Sequence, residues 1–514
     1  SATRVDASQL IEKGRENILL QSNNFSDSVW SHPSSNTTSG QSGYDGSNDA
    51  WKFISVSTGT AQITQSHATS GMVVQSIYAK AGSVDVLKIY VGLTIEFNLT
   101  TGATSYSQSK MTDVGNGWWR CEVYKPYATF NPFFTATSAG DYLYIQDAQT
   151  EQGLVATDYI ETGASTAQAG ILEDTPRFDY SGGATCPSLL LEPSRAQLFE
   201  QSEYFGGWAS NAGGISSIEP NYAASPEGNQ NAYKINFVVQ SDSDLALVKG
   251  HSVTGGSTYA YSIYIKGEGS NIGKAIVIKS KRSGGDSAGT TTTQTLTSEW
   301  VRVDFTTTYA ANNTAANFYI SSNDATSCLV YGAQAEQGSY ATSYIPNHSG
   351  GTVTRGVDSC NNAGDASTFN STEGVLYAEI AALADNGIAR RLSLAGSSAG
   401  DRVNISYTSL GNRLQCFAFV NNALQFNFLF NLSDMTEFNK IAVKYKENDF
   451  ALWVNGVEVL TDTSGITWPS NTFNTLTFSN SPQFYSEPFF GRTKQVLVFK
   501  EALSDTELIE LTTI

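Results

Sequence analysis

The sequence predicts an all-β chain of tandem β-sandwich domains, and three observations carry that prediction. First, a block is written twice at a spacing of 185 residues: Ala148-Gln149-Thr150-Glu151-Gln152-Gly153 before Ala156-Thr157-Asp158-Tyr159-Ile160 returns as Ala333-Gln334-Ala335-Glu336-Gln337-Gly338 before Ala341-Thr342-Ser343-Tyr344-Ile345. Second, the composition favours short strands and polar turns over helices, with 45 Gly, 26 Phe and 25 Tyr against 3 Met and 4 His. Third, apolar and polar residues alternate with period two in many short segments bounded by Gly, Asn and Ser.

Residues 1–16 read as a connector, with Arg4-Val5-Asp6 leading to Leu10-Ile11-Glu12-Lys13-Gly14-Arg15. Residues 17–163 form a first sandwich, with strands such as Val74-Gln75-Ser76-Ile77-Tyr78-Ala79 and Asp141-Tyr142-Leu143-Tyr144-Ile145. Residues 164–196 are a second connector, opening on Thr175-Pro176-Arg177-Phe178-Asp179-Tyr180.

Residues 197–347 repeat the first sandwich. Gln21-Ser22-Asn23-Asn24-Phe25 answers Gln201-Ser202-Glu203-Tyr204-Phe205, Ala50-Trp51-Lys52 answers Ala232-Tyr233-Lys234, and Trp118-Trp119-Arg120 answers Trp300-Val301-Arg302. Anchors in one order over units this long indicate two domains in tandem; a solenoid needs shorter units repeated at least about three times. Two antiparallel sheets packed face to face, a jelly roll, is the natural burial scheme for about eight such strands.

Residues 348–372 are a third connector, with Val353-Thr354-Arg355-Gly356-Val357-Asp358. Each connector carries an Arg…Asp pair and apolar residues, so docking against a neighbouring domain and a rigid rod of three beads are expected. Residues 373–514 form a different sandwich, with a hairpin at Asn455-Gly456 and a closing helix that Ser504 caps and Glu507 completes as a capping box.

Among 514 residues, 48 are Asp or Glu and 30 are Lys or Arg, a formal charge of -18. That excludes a nucleic-acid partner and disfavours anionic membranes and strongly sulfated polymers, although a local basic groove overrides long-range repulsion within a Debye length of roughly 8 Å. A neutral partner is expected. The five cysteines, Cys121, Cys186, Cys328, Cys360 and Cys416, show no disulfide or metal spacing, and Cys121 reads as a small core hydrophobe. No apolar run of about eighteen residues and no secretory leader is present, so a soluble chain without membrane insertion is expected. The start at Ser1 points to a processed chain, a removed initiator or a piece of something longer.

The final unit resembles a concanavalin A-like or laminin G-like sandwich in its Glu373-Gly374-Val375-Leu376-Tyr377 opening, its Lys440-Ile441-Ala442-Val443-Lys444-Tyr445 strand and its Ala502-Leu503-Ser504-Asp505-Thr506-Glu507-Leu508 close. The repeats resemble carbohydrate-binding jelly rolls of phage appendages. The whole order is similar to fibre and structural proteins of tailed phages, particularly marine ones. That resemblance implies a virion-surface protein that binds host-surface polysaccharide, contacts other virion structural proteins, and forms a homo-oligomer, a trimer being favoured. Two other readings stay open: an architectural capsid or tail protein without sugar recognition, and the binding portion of a secreted polysaccharide-degrading enzyme.

No catalytic residues are assigned. The carboxylate pattern Glu-x-Asp-x-x-Glu of glycosidases on this scaffold is absent, and Asp505, Glu507 and Glu510 lie on the closing helix, where solvated charge explains them. His32, His67, His251 and His348 fall in polar loops without zinc spacing. Sugar binding needs an aromatic face beside amide or charged groups. Trp30, Trp118, Trp208, Trp300 and Trp453 read as core, whereas Trp468, in Gly465-Ile466-Thr467-Trp468-Pro469-Ser470, has no period-two context and is the carbohydrate candidate. Jelly rolls of this kind often hold one structural calcium; Asp45 and Asp49 in the first repeat and Glu227 in the second are its candidate ligands.

Overall fold

The computed structural model describes residues 2–211, 213–241, 243–283, 289–483 and 485–514. Nearly all regular structure is β, closed by the helix Asp505–Thr512. The chain divides into two compact units. One holds Leu10–Thr175 and Ala196–Thr354; the other holds Arg4–Gln9, Pro176–Arg195 and Arg355–Ile514.

Within the first unit each repeat is a pair of antiparallel sheets. The first repeat has one sheet of six strands, centred on Val73–Lys80 and the long strand Tyr142–Gln152, and one of five. The second has two sheets of five, with Thr258–Lys266 and Ser327–Gln337 in the equivalent central places. Alternation puts Ile77, Leu87, Ile89, Phe97 and Phe134 into the first core, and Ile263, Ile276, Ile278, Phe318 and Val330 into the second. Met72, Val74, Tyr124 and Leu154 of the first repeat belong to the second repeat's apolar cluster. The two jelly rolls are therefore joined by shared hydrophobic burial.

The duplicated block is a buried polar clasp. In the first copy Gln149 donates to Glu151 at 2.7 Å, Glu151 accepts from the Thr157 amide at 2.9 Å, and the Ile160 amide donates to Gln149 at 2.7 Å. In the second, Gln334, Glu336, Thr342 and Ile345 repeat these three bonds at 2.7 Å each. Glu151 and Glu336 are buried, and a buried carboxylate persists only where such bonds replace water. That requirement explains why both copies keep the same residues.

In the second unit a seven-stranded sheet faces one of five. Leu376, Ile441, Val443 and Leu452 from the larger sheet meet Leu392, Leu394, Ile405 and Phe426 from the smaller. The turn at Asn455-Gly456 has both φ angles positive, 50° and 84°, as a tight hairpin demands. Ser504 and Glu507 form the expected capping box, and Leu508 packs with Trp453, Val375 and Tyr377.

Two strands of the seven come from far upstream. Phe178–Asp179 pairs with Ser188–Leu191, which pairs with Gly491–Phe499, an interior strand flanked on its other side by Glu373–Ala382. Leu190 and Leu191 are buried there, so this apolar stretch, read as a connector in the sequence, is an integral edge of the C-terminal sandwich. The Arg…Asp pairs acquire a purpose too. Arg177 and Arg355 each reach Glu192 at 2.8 Å, and Asp358 pairs with Arg177 and accepts the Glu192 amide at 2.7 Å.

Candidate functional site

The five-stranded sheet of the second unit turns one face to the core and the other outward. Leu392, Leu394, Val403, Ile405, Leu414 and Cys416 point inward. The pleat therefore sends Arg391, Arg402, Asn404, Gln415, Phe417 and Phe419 to the outer face. Pairing aligns Asn404 with Phe417 and Arg402 with Phe419, and the next strand sets Asn427 beside Phe417.

The two guanidinium groups converge on one aromatic pair. Arg391 lies 5.2 Å from the Phe417 ring centre, and Arg402 lies 5.6 Å from Phe417 and 4.8 Å from Phe419. Arg391 is neutralised by Glu487 at 2.8 Å and donates to Asn480 at 3.0 Å. Arg402 donates to the Ala399 carbonyl, and among the described residues no carboxylate forms an ion pair with it. Burial lowers the pKa of both groups, and for Arg402 the neighbouring Arg391 lowers it further while Glu487 opposes. Gln415 donates to Asn427 at 2.8 Å, and Leu424 and Leu429 stand exposed alongside. The face thus combines partly covered aromatic surface, amide groups and a cation.

Trp468 is not a sugar platform. It is 1% exposed, packs 4.3 Å from Phe473 and 5.7 Å from Tyr445 between ring centres, and donates its indole N–H to the Phe419 carbonyl at 2.7 Å. Stacking on a pyranose needs an open ring face, and both faces here are core. This corrects the sequence expectation: Trp468 lies beneath the outer face and holds the Phe419 strand from behind. It also backs a groove of about 790 Å³ whose walls include Glu373, Lys446, Asn421 and Ile466.

The calcium candidates divide. Asp45 and Asp49 do come together: Gln146 donates its amide to Asp49 at 2.7 Å and to Asp45 and Ser47 at 3.3 Å each, while Tyr44 donates its amide to Gln146 at 3.1 Å. Next to them lies Asp147, missed in the sequence. It is 5% exposed and accepts from the Tyr44 hydroxyl at 3.0 Å. Burial first, then repulsion from Asp49, Asp45 and Glu161, pushes its carboxyl up to about 7. These are hard oxygen donors of the kind calcium takes, although among the described residues no three His, Cys, Asp or Glu side chains form a finished metal cage.

Glu227 does not fit a metal. The Lys13 ammonium lies 2.5 Å from Glu227 and 3.1 Å from Glu203, and the Tyr331 hydroxyl bonds to both carboxylates. Burial alone would lower the Lys13 pKa, but the two carboxylates raise it overall. Burial keeps Glu227 raised while Lys13 and His348 hold Glu203 down, because one ammonium cannot hold two buried carboxylates equally ionised. The place expected for a metal is taken by a protein cation.

The other calls resolve by burial. Trp30, Trp118, Trp208 and Trp453 are buried and Trp300 partly so, while Cys121 is fully buried with its thiol pushed up by desolvation. His251 lies within the strand Leu247–Ser252 instead of a loop, bonded to Tyr261 at 2.9 Å. Arg402, Phe417 and Phe419 escaped attention, yet a signal was present. In Arg413-Leu414-Gln415-Cys416-Phe417-Ala418-Phe419-Val420 the aromatic residues share the phase of Arg413 and Gln415, the phase opposite to Leu414 and Cys416.

The concanavalin A-like lectin/glucanases superfamily matches residues 379–509, a concanavalin A-like, laminin G-like domain within the C-terminal sandwich. The carbohydrate-binding module CBM40 of Ruminococcus gnavus IT-sialidase is similar over 30% of this chain and 97% of its own, at 16% identity and a TM-score of 0.26. The tandem CBM22-1-CBM22-2 of Paenibacillus barcinonensis Xyn10C covers 63% of this chain and 98% of its own, at 12% identity and a TM-score of 0.21. Mouse laminin α1 domains LG4-5 cover 58% and 92%, at 7% identity and a TM-score of 0.21. The search of curated proteins gives no match.

Proposed function

We propose that this chain is a non-enzymatic glycan-binding protein of a tailed-phage virion surface, which attaches to host-surface polysaccharide. The observation that supports binding most directly is the outer face of the C-terminal sheet, where Phe419 and the exposed Leu424 and Leu429 lie among Gln415, Asn427 and Arg402. Apolar surface of this kind meets the C–H face of a sugar, and amide and guanidinium groups meet its hydroxyls. The order of two jelly rolls and a laminin G-like sandwich supports the virion setting. In this reading the jelly rolls also contact other virion structural proteins.

One such face binds weakly. A homo-oligomer, with a trimer favoured, presents several faces to one polysaccharide and converts weak sites into firm attachment through effective concentration. A structural calcium ion, if taken up, belongs to the first jelly roll at Asp45, Asp49 and Asp147, where it would offset their mutual repulsion. The test is a glycan array and a whole-cell binding assay on the full chain and on its Phe419→Ala and Gln415→Ala variants. Binding by the parent chain that both substitutions weaken supports the reading. Folded protein that binds no glycan and no cell overturns it in favour of an architectural role, and light scattering that shows only monomer overturns the oligomer.

A further inference from the structure

The charge arrangement on this face selects among saccharides. Two guanidinium groups share the Phe417 ring, yet among the described residues Glu487 alone stands by to neutralise them, and it is engaged with Arg391 through both carboxylate oxygens. A second positive charge kept beside the first, and partly withdrawn from water, is an unfavourable arrangement unless something negative completes it. Among the described residues, Arg402 is held by a backbone carbonyl and by the faces of Phe417 and Phe419. Stacking of this kind orients a guanidinium without consuming its charge.

We propose that this face takes an acidic saccharide, whose carboxylate or sulfate group is received by Arg402 while the sugar ring rests on Phe419 and its hydroxyls meet Gln415 and Asn427. The inference rests on the glycan-binding reading above and names its ligand class. A planar guanidinium presents parallel N–H donors that match two oxygens of a carboxylate or sulfate. Glu487 sets the orientation of Arg391, so the anion meets a pair in which Arg402 has no ion-pair partner among the described residues. The chain's charge of -18 does not forbid this. Repulsion from distant carboxylates is screened beyond about one Debye length, roughly 8 Å at physiological salt, whereas Arg402 and Arg391 act at contact.

The experiment uses the full chain and four probes: a galacturonic acid oligomer, the galactose oligomer of equal length, a sulfated galactan and its desulfated form. Titration calorimetry is run on the parent, Arg402→Gln and Arg402→Lys, each checked for an unchanged unfolding temperature. The expected result is binding to an acidic probe at least about tenfold tighter than to its neutral counterpart, the worth of one charge-assisted contact. Arg402→Gln abolishes that preference, and Arg402→Lys restores part of it. The uronide and sulfated arms tell which acidic group is read. Equal affinity for acidic and neutral probes, or a preference that survives Arg402→Gln, overturns the acidic-ligand inference and leaves glycan binding standing. No binding to any of the four overturns the inference here, while the array and cell assay decide the broader reading separately.

Discussion

Asp147 occupies in the first jelly roll the position that Gly332 occupies in the second, and both adopt left-handed backbone, with φ of 51° and 56°. The second repeat meets the conformational demand with the residue that accommodates it freely. The first places there a buried carboxylate, facing Asp45, Asp49 and Glu161. Local strain and charge repulsion therefore coincide at one residue.

Asp147→Gly is expected to stabilise the first jelly roll at neutral pH in the presence of a chelator. The folded carboxyl titrates at about 7, whereas an unfolded aspartate titrates at about 3.9. Below both values the carboxyl is protonated in either state and costs nothing. As pH rises from about 4 to about 7 the unfolded state gains by ionising first, so the native state loses stability, on the order of 2–4 kcal/mol once the interval is crossed. The gain from the substitution, read by thermal unfolding between pH 4 and pH 8, should grow across that interval. Calcium added to the parent should recover much of the difference if the ion sits there.

Lys13→Met should destabilise the first unit by about 3–5 kcal/mol, because it leaves Glu203 and Glu227 buried without their shared cation. Protonating the carboxylates substitutes for the lost ammonium, so the deficit should shrink at low pH. Urea unfolding at pH 7.5 and pH 4.5 separates this from a simple packing loss, which would be the same at both.

Trp468→Ala should cost about 3–5 kcal/mol of C-terminal stability, the penalty for emptying a large core site. Trp468→Phe retains much of the packing but breaks the bond to the Phe419 carbonyl. Calorimetry with glycan should show its effect as a loosened Phe419 strand, weaker than the effect of Phe419→Ala. An equal loss of binding at unchanged stability would return Trp468 to direct contact.

Glu192→Gln should lower the unfolding free energy of the second unit by about 3–5 kcal/mol. It leaves Arg355 facing a neutral amide and Arg177 with the half-shared Asp358 as its carboxylate. Near-ultraviolet circular dichroism, which reports packing around Trp453 and Trp468, follows that transition.

Local features were legible in the sequence. The Asn455-Gly456 turn and the Ser504 capping box each follow from neighbours a few residues apart, the duplicated block shows itself by repetition, and alternation located the sheets. What escaped was set by distance along the chain. Lys13 and Glu203 lie 190 residues apart, and nothing in either segment shows that one completes the other. Trp468 lay in a segment without periodicity, so its burial depended on Phe473 and Tyr445. The role of Ser188-Leu189-Leu190-Leu191 turned on finding its partner strand near the other end of the chain. Asp147 was hidden because its neighbours Gln146 and Gln149 fit a strand, and the irregularity between them appears only in the pairing.

The pairing of Leu191 with Gly491 has a consequence for how this protein is made. A ribosome completes the Leu189-Leu190-Leu191 segment long before it adds the strand that receives it, and the second jelly roll is synthesised in the interval. The C-terminal sandwich cannot close its sheet until Gly491–Phe499 has emerged. Until then an apolar strand with an unpaired edge waits in water, open to the same segment on neighbouring nascent chains. Translation speed and chain crowding, more than final stability, should therefore set the yield of correctly folded protein.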